Sequence, residues 1–224
     1  MSYGWIIPIV VVAYLLGAFP TGILVARYTK GVDLRQIGSG RTGATNALRA
    51  LGWQLSLVVF IGDALKGGLA VLLPRLVFGL NDPLTPYFVM VCGLACLCGH
   101  IFSIFINFKG GRGVAAGVGQ VAVITPIGAL VCLLVALPTI ARTGYVSLGS
   151  VLGAALMPIV IVVQAVFLRN TAFGIDPAYI PWSVICGGIV VIAHRDNIQR
   201  LLNGTERKLG EKPKSVTEQP QTNG

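Results

Sequence analysis

The chain has 224 residues, 54% of them hydrophobic and only 11% charged, with a mean hydropathy of +0.80. A soluble fold of that size would expose a very large apolar surface, so a water-soluble domain is excluded and lipid is the solvent for most of the chain. The net charge of +9 raises nucleic acid as a partner, but the cations lie in separate clusters between apolar stretches and no nucleic-acid motif accompanies them, so that class is excluded as well.

A helix that crosses the hydrocarbon needs ~20 apolar residues. Residues 4–26 supply the first; no cation precedes them, whereas Arg27, Lys30 and Arg35 follow. This pattern predicts a retained helix with its N-terminus outside, not a cleaved leader. A basic polar loop follows, carrying Arg41 and Arg49, and residues 55–78 form the second span. Asp63 and Lys66 lie inside it, three residues apart on one helix face, and read as an intramembrane ion pair that supports the site. Residues 86–108 form the third span and lead into a loop with Lys109 and Arg112.

Residues 114–141 decide the topology. As one helix they would place Arg142 and the tail cations Arg195, Arg200, Arg207, Lys208, Lys212 and Lys214 outside. A turn at Thr125-Pro126, where proline lacks a donor and biases its predecessor out of the helix, gives two short central spans and returns every basic cluster to one side. Only Arg75 and Arg169, near Asp82 and Asp176, sit at the opposite helix ends. With residues 146–168 and 180–193 the chain becomes an all-α polytopic membrane protein of about seven spans, its C-terminus cytoplasmic. Residues 1–203 read as a single membrane domain and 204–224 as a polar, partly disordered cytoplasmic tail. Gly113-xxx-Gly117 and Gly149-xxx-Gly153 offer close helix packing. The five cysteines all lie in apolar stretches and read as packing residues.

Three polar, glycine-rich segments interrupt this chain, and the topology puts them on one face. The first, residues 38–52, holds Gly38-x-Gly40-x-x-Gly43. Without a strand before it this is no dinucleotide fingerprint, but glycines let backbone N–H groups converge on an anion at the start of the next helix. Ser39, Thr45 and Asn46 add hydroxyl and amide groups, and Arg49 follows Thr45 by one turn. In the second, Lys109 and Arg112 bracket Gly110 and Gly111, a point charge and a planar fork for phosphate. The third opens on His194 and Asn197 at the end of the last span. With His100 and His194 the only histidines, neither a metal nor a cofactor is expected.

Taken in order, GSG-x-x-GATN at 38–46, D-x-x-KG at 63–67, GH-x-F-x-x-F-x-x-FKGG-x-GVA at 99–115, GYVSL at 144–148 and HR-x-NI-x-RL at 194–201 resemble the bacterial membrane acyl-phosphate:glycerol-3-phosphate acyltransferases, the PlsY family. The resemblance implies seven spans in the bacterial cytoplasmic (inner) membrane and an active site at its cytoplasmic face. It implies acyl transfer from acyl phosphate to the 1-hydroxyl of glycerol 3-phosphate, giving lysophosphatidic acid and inorganic phosphate, with a functional link to the enzyme that supplies acyl phosphate. By match to the motifs, Ser39, Arg49, Lys109, His194 and Asn197 align with residues implicated in catalysis and binding. Arg41 stands where the family usually has Asn, Ser103 where Pro is common, and Arg112 where Lys is common.

A mixed anhydride is already activated, so such an enzyme mainly orients two anionic substrates. The His-x-x-x-x-Asp pair of thioester-using acyltransferases is absent, since Phe105 and Gln199 occupy the fifth positions after the two histidines. Arg49 and Lys109 are expected to hold glycerol phosphate, the 39–46 loop and His194 the acyl phosphate, and Asn197 to polarise a reacting oxygen. A carrier of an anionic lipid precursor is the competing class, because basic sites between short helices also serve transport; a docking scaffold is a third.

Overall fold

The computed structural model describes residues 3–211. Its helices are α1 (Ile6–Ala18), α2 (Thr21–Lys30), α3 (Ala44–Leu51), α4 (Trp53–Phe78), α5 (Thr85–Ile101), α6 (Val114–Ile124), α7 (Pro126–Thr143), α8 (Val146–Val162), α9 (Tyr179–Ala193) and α10 (Arg195–Leu202), with no strand among the described residues. Five apolar helical stretches are long enough to cross a membrane, and α6 and α9 are shorter apolar helices, which together make the expected seven. The amphipathic α3 and α10 lie between or after the spans, each presenting polar residues to the same group of loops.

Proline punctuates the spans. The first apolar segment, expected as one helix, is two, because Pro20 removes a helix donor and α1 closes at Ala18. Carbonyls freed in lipid need partners, and they have them. Lys66 Nζ donates to Phe19 O at 2.8 Å, and Ser103 Oγ donates to Ala18 O at 2.5 Å. The turn at Thr125-Pro126 stands where the sequence places it: Thr125 caps α7 by accepting from Gly128 N at 3.0 Å and donates to Gln164 Oε1 at 2.9 Å. That second bond pins the turn to the π-helical segment Val163–Phe167 that ends α8. Of the two halves only α6 is short. α7 runs 18 residues to Thr143, because nothing stops it before Gly144, whose φ of 76° is left-handed.

Close backbone approach happens at Gly149, as the spacing predicts, and also at glycines that the spacing does not single out. A side chain at Gly67 of α4 would strike the Ala116 carbonyl, and one at Gly119 of α6 would strike the Ala64 carbonyl. Gly149 does pack, against α7, but Gly117 faces open space. Spacing reveals small residues; it does not say which face of the helix carries the seam.

Asp63 and Lys66 form the expected pair at 2.8 Å, both nearly fully buried. Asp63→Asn leaves the ammonium without its counter-charge and is expected to cost ~3–5 kcal/mol of stability. The double variant Asp63→Asn, Lys66→Met removes the stranded charge but leaves Phe19 O without its donor, so it should recover only part of that loss. Thermal unfolding in detergent measures both.

Candidate active site

The loops before α3, α6 and α10 meet at one end of a cavity of about 270 Å³. Three arginines line it: Arg41 and Arg112 from the loops before α3 and α6, and Arg49 from α3 itself. None of them has a carboxylate within 4.0 Å among the described residues. Arg49 Nη2 donates only to Arg207 O, at 3.4 Å, and Arg112 Nε to Ala193 O, at 3.2 Å. Burial, reinforced by Arg41 and Arg200, pushes the Arg112 guanidinium down to about 10; burial and then Arg207 lower Arg49. Partly desolvated positive charge without a counter-ion makes a site for an anion. The first turns of α3, α6 and α10 also face the cavity, adding the positive ends of three helix dipoles.

The loop ahead of α3 is built around Asn46. Its Nδ2 donates to the carbonyls of Leu34, Ile37 and Arg41, each at 2.9 Å, and its Oδ1 accepts from Ser39 N at 3.1 Å. Gly38 and Gly40 take φ of 62° and 67°, conformations glycine adopts without strain. The Ser39 and Gly40 amides are therefore spent inside the loop, and the amides that remain for a ligand are those at the start of α3. Ser39, Gly43, Thr45 and Asn46 line the cavity; Gly38 and Gly40 shape the loop from behind it.

The loop ahead of α6 is equally self-contained. Gly110 N donates to Ile101 O and Gly111 N to His100 O, and a side chain on Gly111 would collide with the His100 ring. These two glycines pack the loop against α5 and do not line the cavity. Lys109 is exposed at the rim, outside the cavity lining, so Arg112 is the cation that this loop sends inside.

At the third loop hydrogen bonds fix the polarity of each group. His194 Nδ1 lies 2.8 Å from Val190 O; a carbonyl can only accept, so Nδ1 carries the proton and Nε2 keeps its lone pair. Burial, with the charges of Arg112 and Arg41 also opposing protonation, pushes His194 down to about 4. Asn197 Nδ2 donates to Glu206 Oε1 at 2.6 Å, which leaves Asn197 Oδ1 buried and without a partner. Glu206 also accepts from Ser147 Oγ at 2.8 Å and from Arg200 Nε at 2.7 Å. Burial raises the Glu206 carboxyl, but these three donors outweigh it and hold it below its ordinary value.

The depressed histidine has a consequence for stability. Between about 4 and the ordinary value of 6.5 the unfolded chain binds a proton at His194 that the folded chain does not, so stability falls as pH drops through that window. His194→Gln, neutral throughout, should lose less stability than wild type between those two pH values, as read from unfolding midpoints in detergent.

The glycerol-3-phosphate acyltransferase family model matches residues 7–204. A relative from Synechococcus sp. (strain CC9902) is 44% identical over 90% of this chain and 94% of its own length, and one from Clostridioides difficile (strain 630) is 43% identical over 91% and 95%; both are named glycerol-3-phosphate acyltransferases. The chain belongs to the PlsY family of glycerol-3-phosphate acyltransferases. A crystal structure of PlsY, an integral membrane glycerol 3-phosphate acyltransferase, in its glycerol 3-phosphate form is similar with a TM-score of 0.80 at 36% identity, covering 92% of this chain and 96% of that one. The lysophosphatidic acid form of PlsY gives 0.78 at 35% identity.

The rest of the cavity in this PlsY-family chain is apolar. It continues from the arginines between α6, α7 and α8, past Val118, Leu133, Ala136 and Ile140, down to Val121, Ala129 and Met157. Four lining groups went without a role in the sequence reading. Glu206 and Ser147 join the third loop to α8, Arg41 adds a cation, and His100 approaches Asp63 to 3.8 Å. The GYVSL and GATN motifs marked the neighbourhoods of Ser147 and Arg41; Glu206 carried no motif signal.

Proposed function

We propose that this chain transfers a fatty acyl group from acyl phosphate to the 1-hydroxyl of glycerol 3-phosphate, releasing inorganic phosphate and forming lysophosphatidic acid for phospholipid synthesis. Family membership supports glycerol 3-phosphate as the acceptor. The observation that carries the reading is the division of the cavity: unpaired arginines and helix N-termini at one end, an apolar channel at the other, and two hydrogen-bond acceptors, His194 Nε2 and Asn197 Oδ1, beside the arginines. Phosphates go to the cations and the acyl chain to the channel. A hydroxyl, which must donate, goes to the acceptors.

In this reading the acceptor hydroxyl oxygen attacks the acyl carbonyl carbon, the bond from that carbon to the phosphate oxygen breaks, and phosphate leaves with the electron pair. The hydroxyl proton passes to His194 Nε2 or to a phosphate oxygen. Bound phosphate dianion offsets the field of Arg41 and Arg112, so substrate binding itself strengthens the imidazole as a base. Glu206 holds Asn197 in the orientation that accepts. Lys109, at the rim, attracts anionic substrate from solution, an effect that added salt screens.

The positive-inside pattern supports a cytoplasmic site in the bacterial inner membrane, with an outside N-terminus and a soluble enzyme delivering acyl phosphate. The test is purified protein in detergent given glycerol 3-phosphate and either acyl phosphate or acyl thioester. Stoichiometric phosphate and lysophosphatidic acid from the acyl phosphate alone is the expected result. Transfer from the thioester only would assign a different donor, and substrate movement across vesicles without either product would favour a carrier.

A further inference from the structure

The apolar half of the cavity ends inside the protein, and what closes it is well defined. Val121 on α6, Ala129 on α7 and Met157 on α8 are the deepest residues to line it. One turn beyond them, Ile124 and Ile161 are buried and do not line the cavity. Behind these the Thr125–Gln164 hydrogen bond, with Gln164 Nε2 donating to Phe173 O at 2.8 Å, locks α7 to the end of α8. The floor is therefore packed protein braced by buried polar bonds.

The depth follows from helix geometry. Ser147, which bonds Glu206 at the polar end, and Met157 at the floor are ten residues apart on α8, or about 15 Å at ~1.5 Å per residue. An extended hydrocarbon advances ~1.3 Å per bond of ~1.5 Å, so the channel takes roughly a dozen methylenes in line. The geometry points to the floor of Ala129 and Met157 as the device that sets which acyl-chain length this enzyme uses best. The inference rests on the acyl-donor reading above. Methylenes that reach the floor gain apolar burial; those beyond it must bend aside and gain none.

Positions at two depths test it. Gly117 faces the cavity with nothing within 4 Å of an added Cβ and lies one turn into α6, so Gly117→Leu obstructs the channel near its mouth. Ala129→Leu raises the floor and Met157→Ala lowers it. The measurement is kcat/KM for a series of saturated acyl phosphates from octanoyl to stearoyl, with glycerol 3-phosphate as acceptor.

Ala129→Leu should shorten the optimal chain by roughly two methylenes, and Met157→Ala should lengthen it by a similar amount, since each adds or removes a few bonds of ~1.5 Å. Each methylene denied apolar burial lowers kcat/KM about fourfold, so the wild-type optimum donor should lose ~10-fold or more in Ala129→Leu. Gly117→Leu should move the optimum to the shortest donor in the series. Should Ala129→Leu fail to fold, Met157→Ala carries the test in the opposite direction. An optimum that stays at the wild-type length in both floor variants, with activity retained, overturns the ruler and leaves the donor reading standing. A wild type that uses no acyl phosphate of any length overturns the donor reading, and the ruler with it.

Discussion

Arg49→Met is expected to raise KM for glycerol 3-phosphate by about a hundredfold or more, because a charge-assisted hydrogen bond contributes ~1.5–3 kcal/mol and the guanidinium offers two. Three cations share the polar end, and burial depresses two of them, reinforced by Arg207 for Arg49 and by Arg41 and Arg200 for Arg112. Removing Arg49 leaves Arg41 and Arg112 to balance the glycerol phosphate dianion and the acyl phosphate together, with one positive charge and one planar fork fewer. Arg49→Lys keeps the charge and loses the planar fork, so it should stay impaired by about tenfold or more. Glycerol without phosphate serves as the internal control. Wild type should prefer glycerol 3-phosphate strongly and the Arg49 variants should discriminate less. Equal preference for glycerol 3-phosphate in wild type and Arg49→Met would move the phosphate to another part of the cavity.

That arginine cluster also shows how far the sequence can be read. Apolar run length, proline position and the distribution of cations gave the seven spans and the turn at Thr125-Pro126, because in lipid those quantities act locally. The break at Pro20 followed the same rule but stood inside a run whose hydropathy suggested continuity; Lys66 and Ser103, distant in sequence, supply the partners that make it tolerable. Which glycine faces a neighbour depends on the rotation of each helix about its axis, so spacing alone does not distinguish Gly67 and Gly119, which pack against a backbone, from Gly117, which faces the cavity.

Within the loops, residue type identified the anion site, but the destination of each backbone N–H did not follow from type. Asn46 consumes one of the amides that the glycine spacing advertises, and Ile37 O another. The exchange of Lys109 for Arg112 as the inward cation depends on loop direction alone. Asn107 and Phe108 both take left-handed φ, 55° and 59°, immediately before Lys109, turning the chain so that the lysine leaves and the arginine three residues later enters.

Glu206 is the residue whose loss should cost most beyond the arginines. It falls nine residues after Asn197 in a stretch that composition marks as tail, yet it is buried and joins α8 to α10 by accepting from three side-chain donors, Asn197, Ser147 and Arg200. Glu206→Ala strands those donors in a site that already holds Arg41, Arg49 and Arg112. Arg200 is partly exposed, so losing this pair costs less than the ~3–5 kcal/mol of a fully buried one, but the lost charge also leaves the arginines more strongly repelled. Both stability in detergent and kcat should fall, the latter because Asn197 is then free to turn its Oδ1 away from the substrate hydroxyl. Glu206→Gln separates the two effects. One amide oxygen can still accept from Asn197 and Ser147, but its NH₂ faces the Arg200 guanidinium donor to donor, so Gln should recover part of kcat and little of the stability. Equal recovery of both would mean that the carboxylate's charge is irrelevant and only its shape is needed. No recovery of either would mean that charge balance among the arginines, and not the orientation of Asn197, is what Glu206 supplies.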